Sequence, residues 1–184
     1  MRLYLVRHPK PVVNPDTCYG SSDVEVDTAQ RDLVCAALLR TLPTDVPLYS
    51  SPLRRCAGLA RQLSASMSGQ AIIFDARLAE MDFGNWELRA WSNIPRDEID
   101  AWAQDVAAYR PGGGECVLHV AERVGAFHDD LLQVGAQSAA IICHAGTIRM
   151  LLACRRGLPL VETARFAAEN THKIAYGEVI VLDL

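Results

Sequence analysis

Several signatures of common functional classes are missing from this 184-residue sequence. No two of its six cysteines form a C-x-x-C pair, which argues against a zinc knuckle or a thioredoxin-like redox site. No apolar stretch approaches the ~20 residues that a membrane-spanning helix needs. A G-x-x-x-x-G-K phosphate loop, a G-x-G-x-x-G fingerprint and an H-E-x-x-H zinc motif are also absent. We therefore expect no nucleotide cofactor, no resident metal and no membrane partner.

Charge and composition narrow the class of protein further. The chain carries 18 Lys and Arg against 22 Asp and Glu, a net charge of -4, which argues against a nucleic-acid partner. Half of its residues are hydrophobic, so we expect one folded domain over residues 1–184. The first predicted strand begins within a few residues of Met1, so we expect no signal peptide, and several cysteines lie in apolar runs. We therefore expect a cytoplasmic protein with reduced thiols.

The stretch LYLVRHP at residues 3–9 organises the chain. A short apolar run of this kind is typical of a buried strand in a parallel sheet. Pro9 cannot donate to a ladder, so we expect the strand to end at His8. Ligands of open parallel sheets bind beyond the carboxyl ends of the strands. Arg7 and His8 therefore lie either at a binding site or in a solvent-facing strand cap, and the dipeptide alone does not decide between them.

Strand patterns and helix patterns alternate along the rest of the chain, which predicts a three-layer α/β/α fold with a mostly parallel central sheet. The predicted strands cover residues 3–8, 46–50, 71–74 and 139–143. Helices are predicted to begin near Thr28, Pro52, Pro95, Val117 and Ala145. A hairpin around Gly177, joining residues 173–176 to 178–182, is predicted to close the chain.

Local signals add detail to two helices and one loop. Asp27 or Thr28 is suited to cap the first helix, and Ser51 followed by Pro52 is suited to open the second. Residues 77–87 have no clean period and are predicted to form a loop packed by its own aromatic side chains. The apolar residues of the first helix are expected to face the core; they are Leu33, Ala36, Ala37 and Leu38.

Two predicted strands end in histidine, at His8 and at His144. Strand ends of one parallel sheet meet at the same edge, so we expect these side chains to converge. Arg7 precedes the first histidine, and Arg55 lies in the first turns of the helix after the second strand. Guanidinium groups match phosphate oxygens two at a time, and the helix start at Ala145 adds backbone N–H donors. This constellation predicts a site for a phosphate or a similar oxyanion.

Five short motifs, in order along the chain, resemble those of the histidine phosphatase (phosphoglycerate mutase-like) superfamily. They are LVRH at 5–8, SPLRRC at 51–56, LAEMDFGNWE at 78–87, GGE at 113–115 and ICHAG at 142–146. Each motif alone is a weak signal, but the set spans almost the whole chain. The resemblance implies the same three-layer fold and a metal-independent phosphatase that acts on a small phosphorylated metabolite and needs no cofactor.

The resemblance also implies roles for individual residues. His8 is the expected nucleophile, which forms a phosphohistidine, and Glu80 is the expected proton donor to the leaving group. Charge in the transition state is expected to be stabilised by Arg7, Arg55 and His144, which are therefore counted as catalytic. The phosphate itself is expected to be held by Arg7, Asn14, Arg55, His144 and Ala145.

Within the superfamily, residues 18–20 (CYG) and the 80–87 segment resemble the α-ribazole phosphatases of cobalamin biosynthesis. This resemblance implies α-ribazole 5′-phosphate as the substrate, with Tyr19, Gly20 and Trp86 as candidate substrate contacts. Pro9 stands where the family usually has glycine, and residues 10–11 (KP) replace its usual Glu-Thr or Glu-Ser. These changes alter the loop beside the phosphate but remove no charged catalytic group.

Other interpretations remain open at this point. A phosphoglycerate mutase, a broad sugar-phosphate or phosphohistidine phosphatase, and a non-catalytic phosphate-binding protein of the same fold share these motifs. Asn14 beside Pro15 is also typical of a turn, Glu80 of a solvated loop, and Trp86 of a core. The sequence leaves open whether the protein forms a homodimer.

Overall fold

A five-stranded sheet forms the centre of the computed structural model, which describes residues 1–67, 69–170 and 173–184. The strands are β1 (Arg2–Arg7), β2 (Leu48–Ser50), β3 (Ile72–Phe74), β4 (Ser138–Cys143) and β5 (Val179–Asp183). They are ordered β3-β2-β4-β1-β5, and every neighbouring pair is parallel except β1 with β5. The predicted mostly parallel sheet is confirmed.

Helices cover both faces of the sheet. They are α1 (Thr28–Thr41), α2 (Arg54–Ser66), α3 (Arg96–Gln104), α4 (Val117–Gln133), α5 (Ala145–Cys154) and α6 (Leu160–Glu169). Because side chains alternate along a strand, Leu3 and Leu5 pack in one core with α4, α5 and α6, whereas Val6 packs in a second core with α1 and α2. The three-layer fold is therefore confirmed. None of the helices in the described ranges is long and apolar enough to cross a membrane.

The predicted buried face of α1 is largely wrong. Leu38 is buried, as is Cys35 three residues before it. Of the other residues predicted to be buried, Leu33 is 66% exposed, and Ala36 and Ala37 are exposed as well. The helix contacts α2 and the sheet along a narrow stripe that contains Cys35 and Leu38. Ala36 and Ala37 lie off this stripe and face solvent.

The two capping predictions have different outcomes. Asp27 caps α1 as predicted, since its carboxylate accepts the Gln30 backbone N–H at 3.1 Å. The second helix begins at Arg54, two residues after its predicted start. The Ser51 hydroxyl is hydrogen-bonded to His144 at 2.8 Å and is not the N-cap of α2.

The C-terminal part differs from the prediction in two ways. The helix α6 has no counterpart among the predicted elements. Residues 173–178 form no strand, so the predicted hairpin is wrong, and β5 pairs antiparallel with β1 instead. Gly177 donates its N–H to the Arg7 carbonyl at 3.0 Å. This bond brings the segment before β5 to the end of β1, beside the predicted site.

Aromatic side chains pack the predicted 77–87 loop against α3. Trp86 is 0% exposed and forms a small separate core with Cys18 and Ile94. Phe83 and Trp102 pack against this core from the loop and from α3. The predicted loop with its own aromatic packing is confirmed. This packing holds the loop in place although none of its residues belongs to a strand of the sheet.

Candidate active site

The carboxyl ends of β1 and β4 bring two histidines together. In the parallel pairing Arg7 lies opposite Cys143, so His8 and His144 follow at the same edge of the sheet. The His8 backbone N–H also donates to the Cys143 carbonyl at 3.1 Å, which extends the ladder by one bond. The centroids of the two imidazole rings are 5.1 Å apart. The predicted convergence of the two histidines is confirmed.

The surroundings of His8 keep its imidazole neutral. The residue is 2% exposed, and its Nδ1–H donates to the Pro9 carbonyl at 2.7 Å. Nδ1 carries the proton because a carbonyl only accepts, and Nε2 makes no hydrogen bond to any described residue. Burial, and then the positive charges of Arg55 and Arg7, lower the pKa of His8 to about 3. The ring therefore keeps a free Nε2 lone pair at neutral pH.

Both ring nitrogens of His144 have protein partners. Arg55 Nε–H donates to Nδ1 at 3.2 Å, so the proton of the neutral ring is on Nε2, which donates to Ser51 Oγ at 2.8 Å. Burial, and then the charge of Arg55, lower the pKa of His144 well below its ordinary value. The residue is 0% exposed and lies behind Arg55. The structure therefore makes His144 a buried partner that orients Arg55, and its direct contact with the phosphate stays a prediction.

Arg55 is fixed by a loop that Glu87 in turn holds. The guanidinium donates to the carbonyls of Gly20 and Ser22, the latter at 2.7 Å. On the other side, the Glu87 carboxylate accepts the N–H of Gly20 at 3.0 Å and that of Ser22 at 3.2 Å. Burial opposes ionisation of Glu87, but these donors outweigh it and lower its pKa. Glu87 therefore positions the loop that positions Arg55.

Three residues predicted as ligand contacts lie outside the cavity. Asn14 is exposed, and its side-chain oxygen accepts the N–H two residues on at 3.0 Å, as in an Asn-Pro turn. Gly20 is buried, and a Cβ there would lie 1.9 Å from the Met81 carbonyl oxygen, so its packing requires glycine. Trp86 is fully buried and donates its Nε1–H to Glu98 at 2.6 Å. In the structure the three residues shape loops, and their contacts with a ligand stay predictions.

Arg7 and Tyr19 lie at the wall of the cavity, where the sequence places them. Arg7 donates to a backbone carbonyl of residue 174, and its guanidinium carbon lies 3.8 Å from the centre of the Tyr176 ring. The hydroxyls of Tyr19 and Tyr176 are 2.8 Å apart. The Tyr19 ring centre is 5.4 Å from the guanidinium carbon of Arg55. Each arginine is thus backed by one tyrosine of a hydrogen-bonded pair.

Glu80 reaches the start of α5 from the 77–87 loop. Its carboxylate accepts the Gly146 N–H at 3.0 Å and the Met81 N–H at 3.1 Å. A Cβ at residue 146 would lie 2.3 Å from Glu80 Oε1, so the close approach of the carboxylate requires glycine there. Glu80 and Ala145 line the same cavity as His8, which is the arrangement that a proton donor needs.

The ion pair between Arg123 and Glu115, for which the sequence predicts no role, holds the backbone around Glu80. Arg123 and Glu115 form two parallel hydrogen bonds of 2.8 and 2.9 Å. Arg123 also donates to the Ala79 carbonyl at 2.8 Å, and Glu115 accepts the Asp82 N–H at 3.0 Å. Burial opposes ionisation of Glu115, but Arg123 outweighs it and lowers the pKa of this carboxyl. The pair therefore fixes the residues before and after Glu80.

The predicted reacting and phosphate-binding side chains at the sheet edge line one cavity of about 730 Å³. Its predicted phosphate-binding end, at the carboxyl edge of the sheet, holds His8, Arg7, Arg55 and Glu80. Its other end lies among α3, α4, α5 and α6 and has mostly apolar walls, including Phe83, Trp91, Ile99, Trp102, Val120 and Met150. The described residues contain no group of three or more His, Cys, Asp or Glu side chains arranged to hold a metal ion.

Comparison with known proteins identifies the family. The sequence model of the histidine phosphatase superfamily (branch 1) matches residues 3–176. That span includes both strand-end histidines, the Glu80 loop and the aromatic core. The chain belongs to the histidine phosphatase superfamily. As a member of this superfamily with relatives named as phosphatases, it is a phosphoric monoester hydrolase.

Relatives of this histidine phosphatase differ in the substrates that their names give. A Hydrogenobacter thermophilus protein named "Putative phosphoserine phosphatase 2" is 30% identical over 165 residues, covering 86% of this chain and 80% of that protein. The adenosylcobalamin/alpha-ribazole phosphatase of Escherichia coli is 28% identical over 171 residues, covering 86% and 81%. The structure of the alpha-ribazole phosphatase from Shigella flexneri has a TM-score of 0.81 at 25% identity, covering 100% of this chain and 91% of that one.

One charged residue of this histidine phosphatase, Arg149, lines the cavity although no sequence motif predicts a role for it. Arg149 on α5 lines the apolar end, beside Met150. The available signal is its spacing, since it follows Gly146 by three residues and so lies on the same side of the helix as the residue that binds Glu80. A lone arginine one turn into a helix is too common a pattern to be singled out from sequence.

Proposed function

We propose that this histidine phosphatase hydrolyses phosphate monoesters through a phosphohistidine on His8, without a resident metal. The state of His8 carries the proposal. Its Nδ1–H is bound to Pro9, its pKa is lowered to about 3, and its Nε2 is unengaged in the described chain while the residue lines the cavity. Such a lone pair attacks phosphorus at neutral pH without first losing a proton.

Two displacements account for hydrolysis. In the first, the Nε2 lone pair of His8 bonds to phosphorus, the bond from phosphorus to the ester oxygen breaks, and Glu80 gives its proton to that oxygen. In the second, the Glu80 carboxylate takes a proton from water, the water oxygen bonds to phosphorus, and the bond to His8 breaks. The products are the alcohol and inorganic phosphate, and His8 and Glu80 return to their starting forms.

Fixed positive charge stabilises the transferring phosphoryl group. Arg7 and Arg55 flank His8 and match the oxygens on which charge accumulates, and the N-terminus of α5 at Ala145 adds its dipole. Because protein partners already hold Arg55, its orientation costs little during the reaction. His144 and Glu87 act through Arg55 and are positioning residues.

We propose α-ribazole 5′-phosphate as the substrate. The names of the Escherichia coli relative and of the Shigella flexneri structure support this choice. The cavity supports it physically, since about 730 Å³ with walls that include Phe83, Trp91 and Trp102 suits a flat, bulky leaving group. A leaving group as small as glycerate fills a lesser part of these walls.

Trapping of the intermediate tests the mechanism. Brief exposure to substrate with radiolabelled phosphate, followed by quenching in alkaline detergent, preserves a phosphohistidine because this adduct survives base and decays in acid. We expect labelled protein and release of inorganic phosphate to water, both unchanged by EDTA. Turnover lost in EDTA and restored by a divalent metal contradicts the proposal. Transfer of the phosphoryl group to a second acceptor, without net phosphate release, identifies a mutase instead.

A further inference from the structure

Arg149 is a cation without a counter-ion at the apolar end of the cavity. Its Nε is buried without a partner, and its side chain makes no hydrogen bond or ion pair with any described residue. The residues outside the described ranges are Ser68, Thr171 and His172, none of which is a carboxylate. No acidic side chain of this chain therefore pairs with Arg149.

Trp102, which lines the same cavity, also carries an unpaired donor. Its indole ring packs against Trp86 and Trp91, but its Nε1–H is buried and has no acceptor in the described part of the chain. Trp86, by contrast, donates its Nε1–H to Glu98. A buried indole N–H normally has a hydrogen-bond acceptor. The unpaired N–H of Trp102 is therefore an exception, and it belongs to a residue that lines the cavity.

The position of Arg149 along α5 separates it from the reacting groups. It follows Gly146, whose N–H holds Glu80, by three residues, which is a rise of about 4.5 Å. The phosphate-binding end already contains Arg7 and Arg55. A group bound by Arg149 therefore lies beyond the acid that protonates the leaving oxygen, and so belongs to the leaving group.

We propose that Arg149 and Trp102 form a subsite for a hydrogen-bond acceptor on the leaving group of the substrate. This inference rests on the proposed phosphatase mechanism and narrows its substrates to esters whose mainly apolar leaving group carries an oxygen or nitrogen acceptor. Buried donors are costly when unpaired, and a guanidinium pairs best with a carboxylate, so an anionic acceptor gains most. A ring nitrogen is the neutral acceptor of the same class.

Two aryl phosphates of similar size provide the test. The 4-carboxyphenyl ester carries an anionic acceptor, and the 4-methylphenyl ester carries none. The wild-type enzyme is expected to prefer the carboxylate ester in kcat/KM by about tenfold or more, the usual effect of one charged hydrogen bond. In Arg149→Met, which keeps the apolar stem, the preference falls towards that of the uncatalysed reaction. In Trp102→Phe, which keeps a ring, it falls by a smaller factor.

The decisive quantity is the preference for the carboxylate ester in wild type divided by the same preference in Arg149→Met. The two esters differ in the acidity of their leaving groups, but this difference is the same for both enzymes and cancels in the ratio. Arg165→Met is the matched control: it removes the same charge from the exposed side of the neighbouring helix α6 and is expected to keep the wild-type preference. The same preference in wild type and Arg149→Met, both for these esters and for the two substrate pairs described below, overturns the inference. Absence of turnover with both esters, or equal turnover after His8→Ala, contradicts the proposed function instead.

Two further pairs of substrates identify the source of the acceptor. O-phosphoserine and O-phosphoethanolamine differ by a carboxylate, and α-ribazole 5′-phosphate differs from its indole analogue by the free ring nitrogen. A preference within either pair that disappears in Arg149→Met supports the subsite and names the acceptor as carboxylate or ring nitrogen. If neither pair nor the aryl esters respond to Arg149→Met, the subsite does not exist.

Discussion

The two halves of the active site are held in place by different means. In the strand-end half, His8 and His144 continue β1 and β4, and the ladder extends to the His8 N–H. In the loop half, Glu80 belongs to the 77–87 loop, which joins no strand and is held by Arg123, Glu115 and its own aromatic packing. The nucleophile therefore depends on backbone pairing that many residues share, whereas the acid depends on a few side chains.

This difference has a consequence for mutagenesis. The reacting groups themselves, His8 and Glu80, are expected to give large losses of activity in either half. Supports of the loop half are expected to give graded losses, because the carboxylate remains present but is held less firmly. The supports of His8 in the strand-end half are backbone groups, which side-chain substitution does not remove.

The largest expected effect is that of His8→Ala in the strand-end half. We expect kcat to fall on the order of 10⁴-fold or more, since removal of an enzymic nucleophile costs this much or more. No other described residue at the cavity wall combines a neutral imidazole with a free lone pair. Labelling with radioactive substrate is the measurement, and the variant is expected to carry no phosphohistidine. Equal label on the variant and the wild type refutes the assignment.

Replacement of the acid in the loop half comes next. Glu80→Gln is expected to lower kcat for an alkyl phosphate by about 10²–10⁴-fold, the usual contribution of general acid catalysis. The loss is smaller for p-nitrophenyl phosphate, because its phenolate leaves without a proton. Single-turnover phosphorylation rates measure the step directly. Glu122→Gln, an exposed carboxylate on α4, is the control that is expected to leave both rates unchanged. Equal losses for the two substrates mean that Glu80 is not the acid.

The supports of the loop half are tested by Arg123→Met. This change removes the hydrogen bonds to the Ala79 carbonyl and to Glu115, so Glu80 is expected to lose its fixed position. We expect about a tenfold fall in kcat for alkyl phosphates, within the range of misplaced catalytic groups, and a smaller fall for p-nitrophenyl phosphate. Arg96→Met, which breaks an exposed pair with Asp100, is the control. A fall of the same size on both substrates indicates a general loss of structure.

The same contrast describes how far the sequence predicts this site. Apolar runs ending in Arg7-His8 and His144 predict the strand-end half, because strand ends of a parallel sheet meet at one edge. The position of Glu80 was expected from the family resemblance alone, since no period defines its loop. The surroundings of Gly20 and Trp86 depend on tertiary contacts that no local pattern shows, such as the Met81 carbonyl beside Gly20. The turn at Asn14, by contrast, is local and was one of the interpretations left open by the sequence. The hydrogen bond from Arg55 to the Ser22 carbonyl is likewise a contact between distant parts of the chain, which no local pattern predicts.

The smallest effect concerns stability and compares the two halves without measuring activity. Unfolded histidine has a pKa near 6.5, whereas burial and neighbouring arginines lower the pKa of His8 to about 3 and that of His144 well below its ordinary value. Between about pH 6.5 and pH 3, the unfolded chain therefore binds more protons than the native protein. The two histidines therefore make their full contribution to the free energy of unfolding above about pH 6.5. This contribution is lost as the pH falls through the window.

His8→Gln isolates the contribution of one of these rings. Since one proton is no longer taken up on unfolding, the slope of the unfolding free energy against pH near pH 5 is expected to decrease by about 1.4 kcal/mol per pH unit. Urea unfolding at half-unit steps from pH 4 to pH 8 measures it, and the difference between variant and wild type is expected to be constant above pH 7.5. The loop-half carboxyls Glu87 and Glu115, whose pKa values are lowered, also favour unfolding in acid, but they are the same in both proteins and cancel. Parallel curves over the whole range mean that His8 has the same pKa in the folded and the unfolded protein, which contradicts the lowered pKa on which the assignment of the nucleophile depends.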